Sequence, residues 1–300
     1  MRLHQKDASF AKLFPHTHYF EVQSAEAATC YGVWVTLPAH YHSNPDRRYP
    51  AVYQTDGNLA FPQTAPNHSL ADFDFLSPLA PFVQISVGYT EAECAQSLVL
   101  RNRDLLPPRE PVPDNMIEEI DTMVSSGVMD REQGDLYIHY LRNPAADKFQ
   151  AFLEKELHPA LAEKFRIDAD QASLCGYSYG GLFAAYVAVS GSSLFRRIGA
   201  GSPGILPRRS TIFEILEAKA AAQADFSGRR LHVTLCAREL TTPGMYQSLV
   251  ALGTTEFMAL LSQKPLSGLV VTHELIPLES HLTGLAPAWF NFLRACHRAD

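Results

Sequence analysis

The sequence is poor in the features that mark disulfide-framed, zinc-binding, membrane-spanning and nucleic-acid-binding chains. Five cysteines in 300 residues, Cys30, Cys94, Cys175, Cys236 and Cys296, are odd in number, far apart and never spaced Cys-x-x-Cys. That usage excludes a disulfide frame and a thiolate zinc site. It predicts reduced thiols, with Cys30, Cys175 and Cys236 in or beside strand-like apolar runs. No uninterrupted apolar run approaches the ~18 residues of a membrane-spanning helix, so no membrane is expected. Residues 1–10 also lack the apolar stretch of a signal peptide, from which a cytoplasmic location is expected. Positive charge is short as well. With 25 Lys plus Arg against 32 Asp plus Glu the net charge is -7, and the acidic residues are spread along the chain. This balance favours solubility and argues against nucleic acid or an anionic membrane as partner. His16 and His18, and His40 and His42, are spaced i, i+2, but no further ligand joins either pair in a recognisable pattern, so no metal is expected. Nothing in the chain calls for a cofactor, and there is no internal repeat or low-complexity segment.

What is present is apolar residue in ordered patches. At 46% hydrophobic, 300 residues can bury one large core, and a single domain over residues 1–300 is the expectation. Residues 29–37, 51–53 and 82–87 read as strands, the second leading into a turn at Asp56-Gly57-Asn58. Between Glu91 and Asn143 the pattern breaks into Pro107-Pro108, Pro111 and Pro113, followed by helical spacing over 116–124 and 131–140, which predicts an insertion capping the sheet. Phe149, Phe152, Leu153, Leu157 and Leu161 recur at three- and four-residue steps, predicting an amphipathic helix over 148–165 with Glu154, Lys155 and Glu156 turned to water. Strand-like runs at 172–175, 198–200, 231–237 and 269–276 then alternate with helical stretches at 182–189, 211–222, 245–263 and 286–296. Such alternation predicts an α/β fold with a mostly parallel central sheet and right-handed crossovers.

The chemistry begins at Gly176-Tyr177-Ser178-Tyr179-Gly180. Gly-x-Ser-x-Gly alone arises by chance in about one chain in fifteen of this length and composition, so its context decides. Here it follows a short apolar strand and precedes a small-residue helix. Glycines two residues either side of the serine let the backbone fold sharply and leave the hydroxyl exposed. A phosphate-binding loop is excluded, since neither Gly-Lys-Ser/Thr nor Gly-x-Gly-x-x-Gly is formed. A serine hydroxyl needs a base, expected late in the chain beyond the last strand, and His281 stands there in Leu278-Glu279-Ser280-His281-Leu282. His273, inside the strand, is the weaker candidate. The carboxylate that fixes the imidazole tautomer belongs after the preceding strand, where Glu239 follows Arg238, with Glu279 a local rival. Oxyanion donors are expected from the backbone N–H of Tyr179 and from Gly57 or Asn58, because a glycine lets the backbone approach a substrate closely.

With these pieces in place the chain resembles the Putative esterase family of α/β-hydrolases that includes enterobactin-type siderophore esterases. The likeness runs over residues 29–293. It is carried in order by Tyr49-Pro-Ala-Val-Tyr53 before Asp56-Gly57, Val87-Gly88-Tyr89, Arg101-Asn-Arg-Asp104 before Pro107, Phe149 to Pro159, Gly176 to Gly181, Ser202-Pro203 and Glu279-Ser-His281. The resemblance implies an α/β-hydrolase fold and hydrolysis of a small-molecule ester through an acyl-enzyme on Ser178, with His281 as base and Glu239 where the family often carries its acid. It further implies that Arg101 or Asp104 lies near the pocket, a buried ion pair bracing the insertion being the competing explanation. Tyr177 stands where histidine is frequent in the family and is expected to line the substrate site. Transfer of the acyl group to an alcohol, thioester cleavage, or a binding protein on a hydrolase fold would use the same scaffold.

Overall fold

The protein is seen in a computed structural model that describes residues 3–6, 14, 16–68 and 74–299. Residues 1, 2 and 7–10, part of the stretch read for a signal peptide, lie outside the described residues. In chain order come β1 (Leu3–Lys6), β2 (Thr17–Ser24), β3 (Thr29–Thr36), β4 (Tyr49–Gln54), α1 (Gly57–His68) and β5 (Val83–Tyr89). The stretch read as an insertion follows: a 3-10 turn (Glu91–Gln96), α2 (Ser97–Leu105), α3 (Met116–Ser125) and α4 (Arg131–Arg142). Next are α5 (Ala146–Ala151), α6 (His158–Lys164), β6 (Ile167–Tyr177), α7 (Tyr179–Ser190), β7 (Phe195–Gly201) and α8 (Thr211–Ala221). The chain closes with β8 (Arg230–Cys236), α9 (Ala237–Thr241), α10 (Leu252–Gln263), β9 (Val270–Ile276) and α11 (Leu285–Cys296).

The strands form one sheet in the order β1-β2-β3-β5-β4-β6-β7-β8-β9. From β5 through β4 to β9 every neighbouring pair is parallel, while β1, β2 and β3 add an antiparallel edge. The parallel part is the expected one. Its inner strands are buried on both faces because helices follow them, and β4, β5 and β8 accordingly read as apolar runs, while β9 at the edge is largely exposed. Of the edge, β3 matches the strand read at 29–37; β1, β2 and the antiparallel pairing were not expected. In β2 the alternation of buried Phe20, Val22 and Ser24 with less buried Glu21 and Gln23 is interrupted by buried Tyr19, which blurs the period-two signal.

Two helical segments differ from expectation. Where a turn was read at Asp56-Gly57-Asn58, α1 begins; it holds Pro62 and Pro66, and interior prolines normally argue against a helix. The 148–165 helix forms as α5, a π-helical turn over Phe152–Leu157, and α6, burying Phe149, Phe152, Leu153, Leu157 and Leu161 as predicted. Its acidic residues, however, do not simply face water. Glu154 accepts hydrogen bonds from the Ser192 hydroxyl (2.7 Å) and Gln150 (2.8 Å), and Glu156 accepts one from the Ser24 hydroxyl (2.7 Å). They tie neighbouring loops to the helix. Among the described residues no helix is long and apolar enough to cross a membrane.

The densest packing lies behind the serine. α7 is buried from Gly180 to Val189, which explains a helix apolar all round rather than striped. Phe183 meets Phe149 from α5, with ring centroids 5.2 Å apart, and Trp289 and Phe292 of α11 are buried against the other face of the sheet with Val52 and Cys175. Thus the carboxyl ends of β4, β6, β8 and β9 are held at one edge, where open parallel sheets place their ligands.

Candidate active site

Ser178 joins β6 to α7 with φ 61° and ψ -120°. A non-glycine residue in that region is strained, and such strain persists where the surroundings over-determine it. The surroundings here are the two glycines of the motif. A Cβ on Gly176 would collide with the Gly180 carbonyl, and one on Gly180 with the Thr55 hydroxyl. The turn is then pinned by Ser178 N–H to Gly201 O (2.9 Å) and by Leu182 N–H to Ser178 O (2.9 Å).

The loop after β9 brings His281 back to this serine. Nε2 of His281 lies 2.9 Å from Ser178 Oγ, and Nδ1 lies 2.6 Å from Glu239 Oε1. A carboxylate accepts, so the ring proton sits on Nδ1 and the Nε2 lone pair faces the serine hydroxyl. Glu239 is only 2% exposed, and its other oxygen accepts from the Cys236 backbone N–H (2.9 Å) and the Ser202 hydroxyl (2.8 Å). Three donors thus hold one buried carboxylate. Of the two rivals, Glu239 is the one that meets the ring; the Glu279 carbonyl instead accepts from Arg238 N–H at 3.2 Å.

Sequence reasoning missed two supports of this set. Tyr246 stacks on the His281 ring at 4.1 Å between centroids and 18° between planes, and Ser202 buttresses Glu239. The Ser202-Pro203 pair was quoted as a family motif, so its signal was there without its role. Tyr246 lies in a stretch read only as helical and carried no signal. Tyr177, expected against substrate, does line the cavity. Its hydroxyl is occupied, donating to the His281 carbonyl at 2.8 Å, so it holds the backbone that carries the imidazole.

The remaining expected contacts divide. Arg101 lines the cavity and makes a two-pronged ion pair with Asp56, Nε to Oδ1 at 2.7 Å and Nη2 to Oδ2 at 2.8 Å, with its guanidinium over the Tyr179 ring. Asp104 is a correction: it lies away from the cavity. Its carboxylate is held by Arg103 (2.8 Å) and the hydroxyls of Tyr31 (2.9 Å) and Tyr89 (3.1 Å), as the ion-pair explanation had it. The reason offered for Gly57 is also corrected. Its missing Cβ makes room for Trp34 and the Val87–Gly88 backbone, each within about 3 Å, not for substrate. Asn58 uses its side chain on the Tyr89 backbone, accepting from N–H at 2.7 Å and donating to O at 3.1 Å. The cavity wall at this point is Asp56 and Leu59. Gly57 and Asn58 do open α1, and Tyr179 opens α7. These are first-turn positions, whose N–H groups have no acceptor within a helix.

Above Ser178 and His281 lies a cavity of about 600 Å³, walled by the sheet edge on one side and by α2, α3 and α4 on the other. Among the described residues no group of three or more His, Cys, Asp or Glu side chains is arranged to hold a metal ion.

A strained serine at a strand-to-helix turn, paired through histidine to a buried carboxylate at the carboxyl edge of a mostly parallel sheet, is the architecture of an α/β-hydrolase. Comparison with known proteins shows what the chain is similar to. Residues 120–247 match the family described as "Putative esterase". The chain is similar to the ferri-bacillibactin esterase BesA of Bacillus subtilis, 25% identical over 66% of this chain and 61% of that one. It is also similar to the apo-salmochelin esterase of Escherichia coli O6:H1, 27% identical over 66% of this chain and 54% of that one. The chain therefore matches less than two thirds of the length of either relative. Its fold is that of the siderophore hydrolase EstB from Aspergillus nidulans, with a TM-score of 0.73 at 18% identity, covering 94% of this chain and 95% of that one. The resemblance to siderophore-esterase-like members of that family, read from the ordered motifs, is borne out.

Proposed function

We propose that the protein is a serine carboxylic-ester hydrolase that works through an acyl-enzyme on Ser178. The observation that carries this is the unbroken line from Glu239 through His281 to Ser178, with contacts of 2.6 and 2.9 Å. Ser178 Oγ attacks the ester carbonyl as its proton passes to His281 Nε2, and Glu239 stabilises the imidazolium that forms. The charge on the carbonyl oxygen is received by the N–H of Tyr179 and by a first-turn N–H of α1, from Gly57 or Asn58. Collapse breaks the ester C–O bond, His281 returns the proton to the departing alcohol, and water then releases the acid by the same steps in reverse order.

The relatives' names support siderophore esters as one substrate and the cavity supports small acyl esters generally. A single domain over residues 1–300, capped by 91–143 and working in the cytoplasm, completes the proposal. The test is hydrolysis of p-nitrophenyl esters, with labelling by a fluorophosphonate probe, for the wild type beside Ser178→Ala. The wild type is expected to label and turn over; Ser178→Ala is expected to lose the label and about 10⁵-fold or more in kcat. A wild type that does neither overturns the proposal.

A further inference from the structure

We infer that the acyl half of the substrate is uncharged and apolar and lies under the α2–α4 cap, an inference that rests on the ester-hydrolase reading above. The direction follows from proton transfer. The leaving oxygen must face His281 Nε2, the atom that protonates it, so the alcohol half sits on the His281 side, beside Met245, Tyr246 and Leu282. That side is open: Met245 is 46% and Leu282 81% exposed. The acyl half points the other way, toward Leu106, Met116 and Leu182, all buried, with Met123 and Tyr137 above them.

The charge on this inner wall decides what can lie there. Its one guanidinium, on Arg101, is already matched by the two-pronged contact with Asp56. The other charged groups lining the cavity are acidic, Glu110 on the buried wall and Glu119 at the solvent-exposed rim. Glu110 is 6% exposed and spends Oε2 on the N–H and hydroxyl of Thr211, and burial pushes its carboxyl above the ordinary range. An anionic acyl group or a multiply charged chelate placed here would lose its water and find carboxylates instead of a counter-ion, which is strongly unfavourable. An alkyl or aryl chain loses nothing and gains by leaving water. A cavity of about 600 Å³ has the size of a site for a small organic ligand.

The test compares p-nitrophenyl acetate, butyrate, hexanoate and octanoate with the mono-p-nitrophenyl ester of adipic acid, which is the hexanoate carrying a terminal carboxylate. In the wild type kcat/KM is expected to rise about three- to fourfold per added methylene, the ~0.8 kcal/mol of a buried CH₂. The adipate is expected to fall at least tenfold below the hexanoate. Met123→Lys/Glu119→Gln, on α3, introduces a cation and removes the carboxylate one helical turn away that would match it; fluorophosphonate labelling shows that the variant is folded. Its hexanoate-to-adipate ratio is expected to shrink at least threefold. A flat chain-length series, or an adipate as good as the hexanoate, in an enzyme that labels normally overturns this inference and leaves the esterase reading intact. An enzyme that neither labels nor turns over fails on the esterase reading itself.

Discussion

At the scale of single residues, the site depends on how Glu239 spends its two oxygens. One takes the His281 ring proton, and the other takes the Cys236 N–H and the Ser202 hydroxyl. Glu239→Gln keeps the shape but offers an amide N–H where an acceptor is needed, so the imidazole loses its orienting partner. A fall of about 10³- to 10⁴-fold in kcat is expected, as for loss of the tautomer-fixing carboxylate in known serine hydrolases. Glu279→Gln should stay within about twofold of wild type, and steady-state kinetics of the two variants side by side checks the assignment. Ser178 and His281 were legible in the sequence because their signals are local: glycines at fixed offsets, and a position after the last strand. Glu239 was legible through its place after β8. Ser202 reaches Glu239 from 37 residues away and Tyr246 reaches His281 by a ring contact, and neither contact leaves a mark on the residues beside it in the chain.

At the scale of elements, α2 is anchored to the sheet by Arg101 on Asp56, which stands at the entrance to α1 with φ 55°. Both side chains are largely buried, at 12% and 7% exposed. Removing one partner therefore strands the other charge. Arg101→Met is expected to lower unfolding stability by about 3 kcal/mol, while the double variant Arg101→Met/Asp56→Asn recovers most of it; urea denaturation of the three proteins measures this. The parallel strands could be read because each is an apolar run followed by a helix. α1 could not, since two prolines speak against a helix and its packing on β5, β3 and α11 overrides them. Asp104 was misplaced for a related reason. Its neighbour in sequence, Arg103, and two tyrosines from β3 and β5 neutralise and cover it, and strand pairing of this kind is invisible in a linear motif.

At the scale of the whole molecule, stability is tied to pH through histidines buried far from the serine. Burial pushes His68 down to about 4 and His297 down to about 3 from an ordinary 6.5; both pack against Phe82, at 4.5 and 6.0 Å between ring centroids. Each is neutral in the fold and protonates more readily in the unfolded chain. Their contribution is therefore complete above about pH 6.5 and is lost as pH falls from there toward 4, by at most about 1.4 kcal/mol per pH unit per group. The melting temperature is expected to be level from pH 8 to 7 and to drop between 6.5 and 5, with His68→Gln flattening that drop; thermal unfolding across this range tests it. None of this was readable from composition, where twelve histidines look alike. One bond has a wider reach than its length. Because the hydroxyl of Tyr177, the neighbour of Ser178, holds the carbonyl of His281, serine and imidazole ride on a shared frame. A shift of the loop after β9 that keeps this bond therefore moves the ring together with the strand end that carries Ser178, and Tyr177→Phe is expected to loosen that coupling.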